Sequence, residues 1–269
     1  LLRAEVEKLG VETLRVPSMR DSSWDRGALA DMTALFRAER PDVVHTGASL
    51  TARVAARRAH VPALVTTKHC AAERGGILSR AARRCVDTLY ADQVIAVSQA
   101  VGAQLAAAGT PKRKICVIPN GVVPVEPYGG EARDALRERL GLSPGFLWVG
   151  IAARLEPVKG VDLFIDAARR VLAERSDVRF AVFGLGSQEE ALRQSAADLG
   201  ESIRFMGFCG EIEQALGLLD AAVVSSRSEA FCLSAAEALS MGTPVAAFDV
   251  DGVGEVVRNG ETGLLAPAG

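Results

Sequence analysis

Aromatic residues are scarce in this chain: two Trp, two Tyr and nine Phe make up 5% of 269 residues. So thin a supply offers no stacking platform of the kind single-stranded nucleic acid needs, and it argues against a nucleic-acid partner. The three histidines, His45, His60 and His69, lack metal-ligand spacing. The five cysteines (Cys70, Cys85, Cys116, Cys209, Cys232) are odd in number and scattered, with no C-x-x-C or zinc-type pair. That usage reads as reduced, mostly buried thiols in a cytosolic chain. No apolar run approaches the roughly 20 residues of a bilayer crossing, and no signal-peptide pattern is read.

What is present is globular composition, with 49% hydrophobic and 24% charged residues. A net charge of −2 hides an uneven split. Residues 1–125 hold 18 Lys and Arg against 11 Asp and Glu, and residues 126–269 hold 13 against 22. The basic half contains Arg53, Arg57 and Arg58, then Arg80, Arg83 and Arg84, then Lys112, Arg113 and Lys114. Such runs read as solvated helix faces. They also suit an anionic lipid surface, where each nearby Lys or Arg contributes ~1 kcal/mol.

Short β-branched runs alternate with amphipathic stretches. Strands are predicted at 11–16, 42–45, 63–66, 93–97 and 114–118, with helices near 25–38, 49–58, 77–89 and 99–108. In the second half strands are predicted at 146–151, 178–183, 202–205, 221–224 and 244–247, again alternating with helices. This rhythm predicts an α/β fold of parallel sheets covered on both faces. Ten strands are many for one sheet, and residues 118–130 are rich in Pro and Gly. Two Rossmann-like domains are therefore expected, 1–122 and 123–269, with a cleft between them off the strands' carboxyl ends. The opening residues read as the end of a helix and the last ones lack a closing helix, as in a fragment.

Four strand-to-loop junctions could carry chemistry. Arg154 and Lys159 stand five residues apart on a turn after the 146–151 strand, where a guanidinium and an ammonium could neutralise a diphosphate or simply face solvent. Gly184 and Gly186 follow the 178–183 strand and would allow a tight turn or close backbone approach to a ligand. Without a third glycine (position 189 is Glu) they make a weak dinucleotide fingerprint. After the 221–224 strand comes SRSEAFCLSAAEALSMGTP, residues 226–244. Here Ser234 and Glu237 fit an S-x-x-E capping box. Alternatively, Glu229 and Glu237 flank an anion-binding helix start near Leu233 or Ser234. Lastly, His69 and His45 sit at strand ends, whereas His60 reads as a helix-end residue. Asp249 and Asp251 form a D-x-D that carries little weight as a metal motif, and no metal site is assigned.

Taken together, VIPNGV (117–122), ARLEPVKGVDLFIDA (153–167), VFGLG (182–186) and SEAFCLSAAEALSMGTPVAAFDVDGVGEVVRNGETGLL (228–265) resemble the retaining GT-B glycosyltransferases of family 4. The resemblance is strong over 92–269 and looser before. It implies an enzyme that moves a sugar from a nucleotide diphosphate sugar to an acceptor hydroxyl with retention, without metal or other cofactor. By that resemblance Arg154 and Lys159 grip the diphosphate, Glu229 faces the sugar and Glu237 binds the ribose. Phe231, Cys232, Leu233 and Ser234 offer backbone amides to sugar and phosphate. His69 lies near the reacting carbon and acceptor, and residues 182–186, with Gly184 and Gly186, and 204–207 surround the base.

The implied partners are a nucleotide-sugar donor and a glycan or lipid-linked acceptor in cell-envelope synthesis. A peripheral position at the inner face of the cytoplasmic membrane fits the basic first half. Departures are Ala230 and Cys232, where the family usually has glycines, and a first-domain H-x-H that reads His45-Thr46-Gly47. Extra side chains at 230 and 232 could narrow the donor pocket or alter sugar preference. The family's opening glycine-rich loop is not found in these residues. Rival readings are a GT-B epimerase or phosphorylase, a non-catalytic nucleotide-sugar binder and, more distantly, a nicotinamide oxidoreductase.

Overall fold

The computed structural model describes residues 6–14, 16, 24–47, 49–69 and 77–268. It divides into two compact units, residues 1–96 with 102–117, and residues 97–101 with 118–269. Each carries its own parallel sheet.

Up to residue 117 the elements α1 (Arg26–Glu39), β1 (Val43–Thr46), α2 (Leu50–Arg58), β2 (Ala63–Lys68), α3 (Ile77–Tyr90), β3 (Gln93–Ala96), α4 (Gln99–Ala107) and β4 (Ile115–Val117) follow in turn, all in the first unit except the start of α4. The strands pair in the order β1-β2-β3-β4, all parallel. Asp25 caps α1 by accepting from the Gly27 and Ala28 amides, and Ser49 caps α2 through the Ala52 amide. Small and branched side chains seat α1 on α2: Ala28, Leu29 and Met32 meet Ala52, Val54 and Ala55. Arg53 is buried in this unit and its guanidinium lies 3.0 Å from the Asp87 carboxylate on α3. Thr110 donates to the other Asp87 oxygen at 2.7 Å. His60 takes a left-handed φ of 59° just past α2, so it is indeed a helix-end residue.

One expected strand is absent: residues 11–14 and 16 carry no strand pairing. A β-branched run is only a strand where a neighbour completes its ladder, and here none does among the described residues.

The second unit runs through α5 (Gly130–Arg139), β5 (Leu147–Ala152), α6 (Val161–Glu174), β6 (Val178–Phe183), α7 (Glu189–Ser195), β7 (Ile203–Gly207), α8 (Ile212–Leu216), β8 (Ala221–Val224), α9 (Leu233–Ser240), β9 (Val245–Phe248) and β10 (Gly263–Ala266). Its six strands lie in the order β7-β6-β5-β8-β9-β10. Relative to chain order this is 3-2-1-4-5-6, the doubly wound arrangement of a mononucleotide-binding sheet. β10 pairs with β9 from Gly263 to Ala266 and was not anticipated, because four residues after a turn give too short a periodic signal.

The sheet is buried on both faces. Ile151, Phe164, Ile165, Phe180 and Val182 pack on one side, with Phe164 and Phe180 edge-to-face at 5.7 Å. Trp148, Phe183, Ala222, Val224, Ala235 and Val245 belong to the second cluster. Trp148 is 1% exposed, and its indole N–H is spent on the Ser143 carbonyl at 3.1 Å. The strand order reverses between β5 and β8, so loops from their carboxyl ends diverge there and open a crevice.

Candidate functional site

The loop after β5 and the loop after β8 are stitched together at this reversal point. Gly160 takes φ 62° at the start of α6, and a Cβ there would sit 2.1 Å from the Ser225 carbonyl oxygen. Only glycine serves both demands. The Ser225 hydroxyl donates to the Gly160 carbonyl at 2.8 Å, and the Arg227 amide to Val158 O at 2.8 Å. Arg227 also forks onto Asp162 and, by this hydrogen-bonded pairing, holds that carboxyl below the usual carboxylate range.

These braces bring Lys159 against Glu229. The ammonium lies 2.5 Å from Glu229 Oε1, and the Ser226 hydroxyl donates to the same oxygen at 2.7 Å. The two side chains keep 20% and 11% of their surface, so the pair is shielded without being sealed. The Glu229 backbone is fixed as well: its N–H donates to Asp251 Oδ2 at 3.2 Å, and its carbonyl accepts from the Gly252 amide at 3.0 Å.

A second group of residues lines a cavity of about 310 Å³ over the carboxyl ends of β5 and β6. Arg154, Gly184, Leu185, Phe208, Cys209 and Glu237 are among its walls. Arg154 is exposed; its carbonyl accepts from the Glu156 amide at 2.8 Å, and its guanidinium also lowers the Glu156 pKa electrostatically. The Glu237 carbonyl accepts from the Ser240 hydroxyl at 2.7 Å, and its carboxyl group lies on the cavity wall. Burial, and then the Glu213 carboxylate, push its carboxyl above the usual range. An exposed guanidinium and a half-buried carboxyl thus line one cavity, which suits a polar ligand.

Gly184 and Gly186 make their close approach to the protein itself. A Cβ on Gly184 would lie 1.9 Å from the Ala153 carbonyl oxygen, and one on Gly186 2.4 Å from that of Leu155. Their loop is tied down by Leu155 N–H to Leu185 O at 3.0 Å. Glu156 accepts from the Ser187 hydroxyl and amide, and these bonds depress its pKa.

α9 begins at Leu233, and its N-cap is Cys232, in the left-handed conformation at φ 74° and ψ 71°. The capping box expected from Ser234 and Glu237 does not form, because Ser234 lies inside the helix, and no side chain caps the terminus. The first-turn amides and the positive end of the helix axis are left for an anion. Phe231 precedes them, Leu233 is 44% exposed, and Ser234 Oγ lies 3.8 Å from Cys232 Sγ.

Cys232 is not among the walls of the 310 Å³ cavity. It is 3% exposed and packs into the hydrophobic cluster beside Ala235 and Val253. Burial and then the nearby Glu229 carboxylate push its thiol up to about 11, so it is an inert packing group.

His69 follows β2 by one residue in the first unit and is exposed. His45 Nε2 is 2.6 Å from Thr67 Oγ1, which gives it a local partner. Sequence reasoning missed Ser226, Phe208 and the part taken by Asp251. Ser226 lies three residues before Glu229, and Phe208 is 80% exposed, which is unusual for so large an apolar side chain. Among the described residues no cluster of three His, Cys, Asp or Glu has metal-ligand geometry. No helix among them is long and apolar enough to cross a membrane.

Known proteins share both the sequence pattern and this architecture. Residues 143–269 match the family model "Glycosyl transferases group 1", and residues 2–125 match "Glycosyltransferase Family 4". A D-inositol 3-phosphate glycosyltransferase of Rhodococcus erythropolis is 35% identical over 144 residues, covering 49% of this chain and 33% of the relative. A phosphatidyl-myo-inositol mannosyltransferase of Mycobacterium leprae is 36% identical over 155 residues, covering 56% and 40%. The aligned part of this chain thus spans about a third to two fifths of these relatives. HepE of Anabaena, crystallised with UDP-glucose, superposes with a TM-score of 0.81 at 25% identity, covering 99% of this chain and 75% of HepE. With both halves matched in order and the doubly wound sheet in place, the chain belongs to glycosyltransferase family 4, with the GT-B fold.

Proposed function

We propose that this protein transfers a sugar from a nucleotide diphosphate sugar to an acceptor hydroxyl. The observation that carries the reading is the shielded Lys159–Glu229 pair at the β5/β8 reversal point, beside an uncapped helix start. As the donor's glycosidic bond breaks, positive charge builds on the ring and negative charge on the departing diphosphate. Arg154, Lys159 and the first-turn amides of α9 would stabilise that leaving group electrostatically, with no metal or other cofactor in this scheme. Lys159 has three donors and can hold Glu229 and a phosphate oxygen together.

Glu229 would accept from the sugar's hydroxyls, and Glu237 from the ribose within the 310 Å³ cavity. Phe208, Gly184 and Gly186 would border the base, and Phe231, Cys232 and Ser234 would lend backbone amides to donor sugar and phosphate. His69 is assigned to the reacting carbon and acceptor on the family resemblance. The same resemblance supports retention at the anomeric carbon and a role in cell-envelope glycan or glycolipid synthesis in the cytoplasm.

The acceptor is assigned to the glycan or lipid-linked class. Exposed Ile77 and Leu78 open α3, which also carries an exposed Arg84, and residues 1–125 are basic. An apolar edge joined to positive charge suits an anionic membrane surface. Binding to phosphatidylglycerol-containing vesicles at low salt, lost at high salt, is the expected result; absence at low salt removes this part of the reading.

The test of the activity is acceptor-dependent release of nucleoside diphosphate from UDP-, GDP- and ADP-linked sugars, run on wild type, Lys159→Ala and Glu229→Gln. Loss in both variants supports the site, and unchanged turnover in both sinks it. Donor breakdown that needs no acceptor, or that needs inorganic phosphate, would move the protein to the epimerase or phosphorylase class. Nuclear magnetic resonance of the product anomer decides retention.

A further inference from the structure

Around Glu229 two residues that are not glycine hold left-handed backbone, one at the end of its own loop and one in the loop after β9. One is Cys232, φ 74°, which the core absorbs; the other is Asp251, φ 42°, which is exposed. Left-handed backbone costs a residue with a Cβ more than it costs glycine. If position 251 only had to turn the chain, glycine would serve at least as well. What glycine would lack is the carboxylate. Asp251 Oδ2 accepts from the Ser228 hydroxyl at 2.5 Å and from the Glu229 N–H at 3.2 Å. The next residue's amide, at Gly252, donates to the Glu229 carbonyl at 3.0 Å. The peptide groups on both sides of Glu229 are therefore gripped from one turn, while its side chain is set by Lys159 and Ser226.

We infer that Asp251 is a positioning residue, whose strained turn clamps the backbone of Glu229 so that its carboxylate is aimed before any donor arrives. The role rests on the reading of Glu229 as the sugar-facing carboxylate. It gives the second acid of the D-x-D motif a function that needs no cation: the acceptor oxygen is occupied by a hydroxyl and an amide of its own chain. Preorganisation of this kind acts on the chemical step and on recognition of the sugar, and leaves the diphosphate contacts of Arg154 and the helix start untouched.

The informative variant is Asp251→Gly, which keeps the turn and removes the clamp; Asp251→Asn keeps a neutral acceptor and tolerates the same backbone. In the ligand-free protein the Glu229 amide is expected to exchange about tenfold faster in Asp251→Gly, as for a lost charge-assisted hydrogen bond, with a melting temperature no lower than wild type. Asp251→Asn should return exchange to within about threefold of wild type. In calorimetry, Asp251→Gly should bind UDP as wild type does while losing about tenfold of any extra affinity for UDP-glucose over UDP. Unchanged Glu229 exchange, or a fall in melting temperature that Asp251→Asn shares, overturns the clamp. The exchange measurement decides this without a donor, so wild type that binds neither UDP nor UDP-glucose counts against the donor assignment alone.

Discussion

Two ion pairs, one in each unit, use similar chemistry for different ends. Arg53 and Asp87 in the first unit are 5% and 1% exposed, stand 3.0 Å apart, and share their enclosure with Thr110. Lys159 and Glu229 in the second are closer, at 2.5 Å, yet keep 20% and 11% of their surface and sit where two strand loops diverge. The first pair is walled in by helices and joins α2 to α3. The second lies at a place where a ligand can reach it. Shielding without sealing separates a group held for chemistry from a group held for architecture, because the former must exchange partners and the latter must not.

The largest expected effect breaks the architectural side. Asp87→Ala leaves the Arg53 charge buried without its carboxylate and should cost about 3–5 kcal/mol in urea unfolding. Loss of under ~1 kcal/mol would place this pair among ordinary surface contacts. On the other side, Lys159→Ala should lower acceptor-dependent turnover by about 100-fold or more, the scale of removing one preorganised donor to a developing charge. Its unfolding free energy should fall by about 1–2 kcal/mol, less than in Asp87→Ala, because Glu229 keeps the Ser226 hydroxyl and more of its surface. If instead stability falls as far as in Asp87→Ala, the contrast between the pairs collapses.

Most of the second unit's fold was legible because buried parallel strands leave short, largely apolar runs, as in Val178–Phe183 and Ala221–Val224. Arg154, Lys159 and Glu229 lie in the loops after β5 and β8, as the strand-to-loop reading places them, and Glu237 lies inside α9. What stayed hidden depends on three-dimensional return of the chain. Asp251 and Ser226 reach Glu229 through bonds that span 22 and 3 residues, and no periodicity reports a left-handed φ at Cys232 or Asp251. The capping box misled because its S-x-x-E spacing begins one position inside the true start, at Leu233, where Cys232 is the N-cap. The run at 11–16 misled because propensity does not supply a neighbouring strand.

A smaller effect sharpens the division within the site. Arg154→Ala should weaken binding of a nucleoside diphosphate by about tenfold, as for one lost charge-assisted contact, while leaving Lys159–Glu229 intact. The loss should shrink as salt rises, since Arg154 is exposed. Titration calorimetry at two ionic strengths reads both.

The smallest effect concerns Glu237, whose pKa is raised by burial and by Glu213. A carboxyl with a raised folded pKa stabilises the fold fully below its unfolded value of 4.5, and that contribution is lost as pH rises through the folded pKa. Glu237→Gln should therefore gain stability, by about 1 kcal/mol or less, at neutral pH relative to wild type, and show no gain below pH 4.5. Chemical denaturation at pH 4 and pH 7 checks the sign. A gain that grows toward acid would reverse the environment assigned to this residue.

The central claim is that the β5/β8 reversal point binds a nucleotide diphosphate sugar through Lys159. It is tested most directly by calorimetric titration of wild type and Lys159→Ala with UDP-glucose, GDP-mannose and ADP-glucose. The account predicts saturable binding of at least one donor by wild type and its loss, by tenfold or more, in the folded variant, about the worth of one charge-assisted contact. Equal binding by both proteins, or binding of none of the three, would contradict it.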